Sequence, residues 1–320
     1  MAVEYARTHL VHKPWGSMDL RPWSEENAAA DPVGEIWFER TDPAAPEARL
    51  LLKLLFTTAP LSIQVHPDDA FAKSKGLGNG KTEAWYVLGA TPEAKVALGL
   101  TAPASPETLR AAVESGALKT LVNWRPAVRD EAILVPAGTI HALGAGLVVA
   151  EIQQRSDTTY RMFDFGRDRG LHVEDALAVA HAGPIDPAAQ PWRLTPARTL
   201  LAVSPYFVLE RVDLPAGTAW ALDADQETWL LVIAGEARVG RHVAGIGQAM
   251  FIDEATAALQ VGPEGMSALL AYVSPVPVAR LLERRGAPDG GGGPDLFVAP
   301  LPSGGPVPAA PRRALQEVRV

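Results

Sequence analysis

The sequence contains no cysteine in its 320 residues. Disulfide bonds, thiolate metal sites and a catalytic cysteine are therefore excluded. No apolar run approaches the ~18–20 residues that a membrane-spanning helix needs. Residues 1–13 also lack the basic start and apolar core of a signal peptide. We therefore expect a cytoplasmic protein that has no membrane partner.

Positive charge is scarce as well. The chain carries 29 basic and 37 acidic side chains, which gives a formal net charge of −8. Proteins that bind nucleic acid usually show a basic stripe, and because this sequence has none, we expect no nucleic-acid partner. An anionic ligand would have to be bound by a few well-placed cations, against an unfavourable overall field.

The residues that are present describe a globular, all-β protein with a few short helices. Hydrophobic residues make up 48% of the chain, and its length is about twice the ~100–200 residues of one domain. Glycine and proline, 28 of each, separate short apolar runs such as Leu50–Phe56 and Thr228–Ile233. Runs of this kind predict the strands of an antiparallel barrel or sandwich. Helices are predicted after Ser105, which precedes a proline, and over residues 173–182.

Breaks in this pattern divide the chain into three parts. A Gly-Pro-Ile-Asp-Pro segment near residue 185 predicts a first domain over residues 1–185 and a second over residues 192–280. Residues 286–320 are rich in glycine and proline, and we expect them to form a flexible tail.

A faint internal repeat suggests that the two domains are related. The segment Glu83–Leu88 resembles Glu227–Val232, and Ala132–Val135 resembles Ala249–Ile252. Two β-barrels in tandem would explain both similarities, although apolar strands also resemble one another by composition alone.

Four side chains at separate places in the sequence could bind a metal ion. On a strand, Ser62, Gln64 and His66 point to one face. That face is either exposed to solvent, or it lies inside a barrel where its polar groups need partners. Alone, Glu83 is typical of an exposed strand end, and His141 of a hydrogen-bonded core histidine. Together with Gln64 and His66 they offer two imidazoles, a carboxylate and an amide oxygen, a set that suits Zn²⁺.

A further acidic and a further basic residue have two possible interpretations. Glu151 lies on an alternating strand, and Arg161 lies ten residues later in a second strand. Both could be surface charges. In a chain this acidic, an inward arginine could instead anchor an anion, because its planar fork binds two oxygens at once.

Seven segments resemble, in order, the type I mannose-6-phosphate isomerases of the short bacterial form. These segments, which fall between about residues 10 and 180, are His12–Gly16, Gly34–Trp37, Leu52–Leu54, Ser62–Asp69, Gly80–Glu83, Pro136–Ala142 and Glu151–Arg161.

The resemblance implies two tandem cupin-type (jelly-roll) β-barrels, the first carrying the site and the second degenerate. It implies an enzyme that interconverts mannose 6-phosphate and fructose 6-phosphate through an enediol. Its partner would be a phosphorylated hexose, and we expect a monomer or a homodimer. One divalent ion per chain, with Zn²⁺ the first candidate, would be held by the metal ligands that the family positions identify: Gln64, His66, Glu83 and His141.

The same resemblance assigns the remaining site residues. Arg161, Lys81 and Glu151 are the expected catalytic residues, with Lys81 and Glu151 both candidates for the proton-transfer base. Ser62 and Lys53 are expected to line the substrate pocket.

The chain departs from longer family members at two points. Some of those members carry a histidine immediately before the Lys-x-Glu motif, where this chain has Gly80. Their large helical insertion is also missing, which predicts a shorter cap over the site.

Two other functions are compatible with a cupin metal site. A non-catalytic sugar-binding cupin would need the metal ligands but not Lys81, Glu151 and Arg161 together. An iron-dependent cupin dioxygenase usually has two or three histidines with one carboxylate, so the glutamine argues mildly against it.

Overall fold

The computed structural model describes residues 2–26, 31–185 and 190–286. Within those residues the chain forms 21 strands and four helices. The tail expected over residues 286–320 lies outside the described residues, apart from Gly286. None of the helices in the described part is both long and apolar enough to cross a membrane.

The strands before residue 164 are the following: β1 (Ala2–Tyr5), β2 (Arg7–Ser17), β3 (Val33–Glu39), β4 (Leu50–Thr57), β5 (Ile63–Val65), β6 (Glu83–Ala90), β7 (Lys95–Leu100), β8 (Val122–Pro126), β9 (Ala132–Val135), β10 (His141–Leu143), β11 (Leu147–Gln154) and β12 (Tyr160–Phe163). The later strands are β13 (Trp192–Thr195), β14 (Arg198–Val203), β15 (Val208–Leu214), β16 (Ala219–Ala224), β17 (Thr228–Val239), β18 (His242–Gly245), β19 (Ala249–Asp253), β20 (Ala255–Tyr272) and β21 (Leu282–Arg285). The helices are α1 (Asp69–Ser74), α2 (Pro106–Glu114), α3 (Leu118–Leu121) and α4 (Val173–Val179).

The strands form three sheets. Sheet I has the order β2-β3-β4-β11-β6-β9, and sheet II has the order β12-β5-β10-β7-β8. Sheet III follows the path β1-β19-β17-β20-β15-β14-β13, with β16, β18 and β21 joined to it at the side. Strands make up 51% and helices 9% of the structure, which confirms the all-β class.

Sheets I and II pack face to face. Trp85 and Val87 of sheet I share one apolar cluster with Val96 and Leu98 of sheet II. The opposite face of sheet II is covered by α2, α3 and α4, whose buried residues include Leu109 and Ala176. The predicted helix cap is confirmed, because Ser105 Oγ accepts the Thr108 N–H at the start of α2.

The outer face of sheet I packs against sheet III. Along β4, Leu52 and Leu54 point outward and join Trp229 and Phe251 of sheet III in one cluster. Lys53 points the other way, towards sheet II, because successive residues of a strand face opposite sides. Strand β4 therefore touches the C-terminal half with one face and the space between sheets I and II with the other.

Strand β6 pairs with β9 as β17 pairs with β19, which agrees with the internal repeat. Glu83 lies opposite Val135 and Thr228 lies opposite Ile252, so the predicted alignment of β6 with β17 was wrong by one residue. Trp85 lies between sheets I and II, whereas Trp229, its counterpart in the predicted alignment, lies in the cluster between sheets I and III. Leu230 instead lies in the cluster enclosed by sheet III. A shift of one residue moves every side chain to the other face, so the position matching Glu83 is occupied by Thr228.

The domain bounds over residues 1–185 and 192–280 stay a prediction. Strand β1 pairs with β19 of sheet III through Ala2–Tyr5, while β2, which begins at Arg7, belongs to sheet I. The N-terminal segment therefore connects the two halves.

Glu227 also joins the two halves. Its buried carboxylate accepts the backbone N–H of Arg49 at 2.5 Å and of Leu50 at 2.8 Å, where β4 begins. It also accepts the Trp229 Nε1–H at 3.1 Å. A residue of the C-terminal half thus fixes the start of the strand that carries Lys53.

We expect Glu227→Ala to lower the free energy of unfolding by about 1–3 kcal/mol, because it leaves buried backbone N–H groups without an acceptor. Chemical denaturation followed by fluorescence would measure the change, with Glu264→Ala at an exposed position as the matched control. Equal stability of the two variants would show that the carboxylate does not hold β4.

Candidate active site and metal centre

Three buried side chains from both sheets meet between sheets I and II. His66 follows β5, Glu83 opens β6 and His141 opens β10. Their potential ligand atoms all lie within 4.8 Å of one another. Glu83 Oε2 is 3.4 Å from His66 Nε2, and Glu83 Oε1 is 3.4 Å from His141 Nε2. Each residue is at most 1% exposed.

The two imidazoles are oriented by carbonyl groups behind them. His66 Nδ1 donates to the Thr158 carbonyl and His141 Nδ1 donates to the Thr139 carbonyl, both at 2.9 Å. Each ring therefore carries its proton on Nδ1 and presents the lone pair of Nε2 to Glu83. Metal-binding histidines are held in this way, with the second nitrogen donating to a carbonyl or carboxylate.

Several of these atoms have no hydrogen-bond partner in the described part of the chain. They are His66 Nε2 and both carboxylate oxygens of Glu83, of which Oε2 has an ion-pair contact with Lys81. Unpartnered polar atoms at such depth are costly. Two lone pairs and a carboxylate that converge on one point fit a divalent cation such as Zn²⁺.

Gln64 completes the set of predicted ligands. Its Nε2 lies 3.3 Å from His141 Nε2, and its Oε1 accepts the Ser62 Oγ–H at 2.9 Å. Rotating the amide by half a turn exchanges oxygen and nitrogen in nearly the same volume, which turns the oxygen towards His141 and gives a fourth ligand atom.

The protonation states also suit metal binding. Burial, aided by the Lys81 ammonium, lowers the pKa of His66 to about 3. Burial likewise lowers the pKa of His141, against the opposing effect of Glu83. Burial opposes the charge of Glu83, but the Lys81 ammonium beside it holds the pKa of that carboxyl well below its ordinary value. Near neutral pH the site therefore presents two neutral imidazoles and one carboxylate.

A cavity of about 340 Å³ lies beside this cluster. It brings together six of the predicted residues: Lys53, Ser62, Gln64, Lys81, Glu151 and Arg161. The remaining three, His66, Glu83 and His141, lie next to it, since Gln64 contacts His141 and Lys81 Nζ is 3.1 Å from Glu83 Oε2. All nine predicted site residues are thus neighbours in space, and their roles stay predictions.

A second charged group lies on the sheet I side of the cavity. Lys53 Nζ sits 3.4 Å from Glu35 Oε2 and 3.5 Å from Glu151 Oε1. Trp37 Nε1 donates to Glu35 at 2.6 Å, and Trp85 Nε1 donates to Glu151 at 3.1 Å. Lys53 is therefore shared between two carboxylates, each of which is also held by an indole.

Arg161 differs from the lysines because no carboxylate of the described residues lies within 4.0 Å of its guanidinium. Its Nη1 donates to the Gly170 carbonyl at 3.0 Å, and its buried Nε has no partner in that same part of the chain. On β12 it pairs in register with Gln64 of β5. The arginine is thus a cation that can still bind an anion, next to the predicted metal ligands.

Sequence reasoning missed several residues of the cavity wall. Lys13, Glu35 and Asp157 lie within segments that carried the family resemblance. Alternation on β3 was the signal for Glu35. Arg169 and His172 belong to the segment between β12 and α4, where no sequence pattern pointed to the cavity.

The structure explains why position 80 contributes no side chain. A Cβ atom on Gly80 would lie 2.5 Å from the Asp68 carbonyl carbon and from the Asp69 nitrogen, at the start of α1. The Gly80 N–H also donates to Asp69 Oδ1 at 2.8 Å. A histidine there would require this turn to move.

Sheet III holds a different kind of polar group. Arg198 binds both oxygens of Glu210, and Tyr272 Oη also donates to Glu210. These partners satisfy one another. Among the described residues, the one cluster of three histidine, aspartate or glutamate side chains with metal-binding geometry is His66, Glu83 and His141.

A larger cleft of about 570 Å³ lies between the two halves. Its buried polar residue, Gln154, is already bonded, since it accepts the Thr82 N–H and donates to Asp69. The smaller cavity lies beside buried polar atoms that have no hydrogen-bond partner, and it is therefore the candidate active site.

Comparison with known proteins gives a consistent result. No family model matches the chain. Over 198 residues, 59% of the chain, it is 35% identical to the mannose-6-phosphate isomerase of Streptococcus mutans. That alignment covers 62% of the relative, so the chain spans less than two thirds of the relative's length.

Solved structures extend the likeness to the fold. The mannose 6-phosphate isomerase of Bacillus subtilis is similar with a TM-score of 0.74 and 24% identity, over 85% of this chain and 99% of that one. A zinc-bound mannose 6-phosphate isomerase is similar with a TM-score of 0.68 and 16% identity, over 85% and 100% of the two chains. The resemblance that the sequence motifs indicated is confirmed.

We expect the metal-free protein to bind one Zn²⁺ and to melt at a higher temperature when the ion is added. A ligand at one hundred times its dissociation constant adds about 2.7 kcal/mol to the free energy of unfolding. His141→Ala should lose most of this shift, while His242→Ala, a histidine of sheet III, should keep it. Thermal denaturation with and without Zn²⁺ measures both, and an equal shift in both variants would contradict this metal site.

Proposed function

We propose that the chain is a metal-dependent aldose–ketose isomerase that interconverts mannose 6-phosphate and fructose 6-phosphate. One observation carries the proposal: His66, Glu83 and His141 converge in a buried cluster, in which His66 Nε2 and the Glu83 oxygens have no hydrogen-bond partner, beside a cavity lined by cations. The names of the similar proteins support the substrate and the reaction.

The metal of the proposed enzyme is one Zn²⁺ per chain, held by Gln64, His66, Glu83 and His141. The zinc in a similar solved structure supports this choice. When bound, a divalent ion supplies Lewis-acid stabilisation of negative charge on sugar oxygens, worth several kcal/mol. Positioning and proton transfer remain for the side chains of this chain.

The reaction moves a proton from C2 of the aldose to C1, while a hydroxyl proton passes from O2 to O1. A base must take the proton from C2 and return it to C1 of the enediol. It therefore needs a lone pair inside the cavity, within reach of both carbons.

Glu151 is the better base of the two candidates. Lys81 is bound to Glu83 at 3.1 Å, and an ammonium held by a carboxylate has no lone pair to accept a proton. Glu151 is an acceptor held by Trp85 and Lys53, and it lines the cavity. Burial and the nearby Glu83 also raise its pKa, which makes the carboxylate more basic. Lys81 then serves as a fixed positive charge beside the developing enediol.

Arg161 is the cation best placed to meet negative charge of the substrate. The ammonium of Lys53 is shared between Glu35 and Glu151, and that of Lys81 is bound to Glu83. The guanidinium of Arg161 faces a carbonyl instead of a carboxylate. Because Arg161 pairs with Gln64, we assign it to the reacting end of the cavity, where the enediol forms.

The proposed partner is a phosphorylated hexose. Such sugars are intracellular metabolites, so the proposal includes a cytoplasmic location. The net charge of −8 argues against a nucleic-acid partner. The proposal keeps a monomer or a homodimer without a membrane partner.

The purified protein is expected to form fructose 6-phosphate from mannose 6-phosphate in a coupled assay. Chelation should abolish turnover and Zn²⁺ should restore it. Glu151→Gln, which keeps the shape of the side chain but removes its basicity, should lower kcat by ~10²–10⁴, with the zinc content unchanged. Sugar binding without turnover would favour a non-catalytic cupin, and oxygen consumption with iron bound would favour a dioxygenase.

Arg161→Ala should lower kcat by ~10²–10³, the usual cost of losing one charge-stabilising donor. KM should change little if the arginine acts on charge that develops in the transition state. Arg161→Lys should recover part of the rate, because lysine keeps the charge and loses the planar fork. Steady-state kinetics measures kcat and KM of both Arg161 variants, with Arg238→Ala on sheet III as control. A raised KM at wild-type kcat would assign Arg161 to ground-state binding.

A further inference from the structure

The chain returns to Arg161 shortly after leaving it. The backbone N–H of Arg161 donates to His172 Nδ1 at 3.1 Å, and the backbone N–H of His172 donates to the Arg161 carbonyl at 2.8 Å. Between these two residues, the Gly170 carbonyl accepts Arg161 Nη1 at 3.0 Å. The same segment therefore holds both the backbone and the guanidinium of Arg161.

This segment is itself fixed by a buried carboxylate. Asp164 is 4% exposed and accepts hydrogen bonds from Nε and Nη2 of both Arg167 and Arg169, at 2.6–3.1 Å. Backbone bonds from Arg167 to Asp164 and from Arg169 to Arg167 tighten the turn. The Gly170 carbonyl, which accepts Arg161 Nη1, thus lies in a segment that these hydrogen bonds hold in place.

The bond to His172 determines which ring nitrogen carries the proton. A backbone N–H can only donate, so Nδ1 of His172 must offer its lone pair. The ring is then neutral, with its proton on Nε2. Burial and the neighbouring Arg161 both lower the pKa of His172, and the neutral ring is the form that can hold Arg161.

We propose that His172 is a positioning residue of this site, which acts by holding Arg161 through the Arg161 N–H. The inference rests on the proposed function, in which Arg161 meets the negative charge of the enediol. Without an acceptor at residue 172, the Arg161 N–H loses its side-chain partner, and one of the two backbone-anchored bonds between β12 and the segment that carries Gly170 is lost. The Gly170 carbonyl then holds the guanidinium less firmly, and the reaction slows although the other cavity residues are all present.

Two substitutions test the two ring nitrogens of His172 separately. His172→Asn keeps an acceptor close to the position of Nδ1 and removes the Nε2–H group. His172→Gln keeps a donor close to the position of Nε2 and removes the acceptor near the backbone. His242→Asn, on β18 of sheet III, is the matched control.

Two measurements are made on each variant: hydrogen exchange at the Arg161 amide, and kcat and KM for mannose 6-phosphate. We expect His172→Gln to exchange this amide about tenfold faster and to lower kcat about tenfold, as the loss of one hydrogen bond predicts. KM should stay within about twofold. His172→Asn and His242→Asn should stay close to wild type in both measurements.

A double-mutant cycle tests whether the effect passes through Arg161. In the Arg161→Ala background, His172→Gln should cause no further loss of kcat, because the residue it positions is gone. A further tenfold loss there would overturn the inference. So would wild-type kinetics in His172→Gln, or slow turnover in His172→Asn with the Arg161 amide still protected, which would make His172 a direct substrate contact.

The two proposals fail in different ways. A wild-type protein that does not isomerise mannose 6-phosphate would refute the proposed function. Amide exchange at Arg161 would then still decide whether His172 holds that residue, because the measurement needs no turnover.

Discussion

The candidate site depends on a buried carboxylate whose two oxygens lie opposite the Nε2 atoms of two buried imidazoles. Glu83 sits 3.4 Å from Nε2 of both His66 and His141, and both imidazole protons point away, towards carbonyl groups. Such an arrangement is unfavourable by itself, because the lone pairs of two imidazole nitrogens face a carboxylate and Lys81 contacts only one of its oxygens. A cation relieves it. The two sheets that support these residues therefore have to be stable enough to hold the donors in place before any ion arrives.

The charges around this centre are organised by pairing. Lys81 is bound to Glu83, and Lys53 is shared between Glu35 and Glu151. Buried charges usually need such partners, because removing a charge from water is expensive. Arg161 is the exception among these cavity cations, since it is held by a carbonyl. The acidic chain thus offers an anion a local positive site without a general positive field.

Much of this arrangement could be read from the sequence, and the misses have physical reasons. The all-β class and the cap at Ser105 were correct because each depends on local chemistry. The predicted alignment of the two repeats matched Trp85 with Trp229. It failed because these two tryptophans, which share a residue type, point to opposite faces of their sheets. His172 was missed because its place in the cavity depends on a turn that closes on Arg161, and only tertiary contacts reveal that closure.

The two-sided packing of sheet I has a consequence for how such chains can be recombined. Every predicted site residue lies before residue 162, yet the outer face of sheet I is completed by Trp229 and Phe251. A fragment cut near residue 185 would carry all the predicted site residues and expose a broad apolar surface to water. The part of the chain that has to fold together is therefore longer than the part that carries the predicted site residues. Exchange of C-terminal halves between related proteins would succeed only where the transplanted half presents a matching apolar surface to β4 and β6.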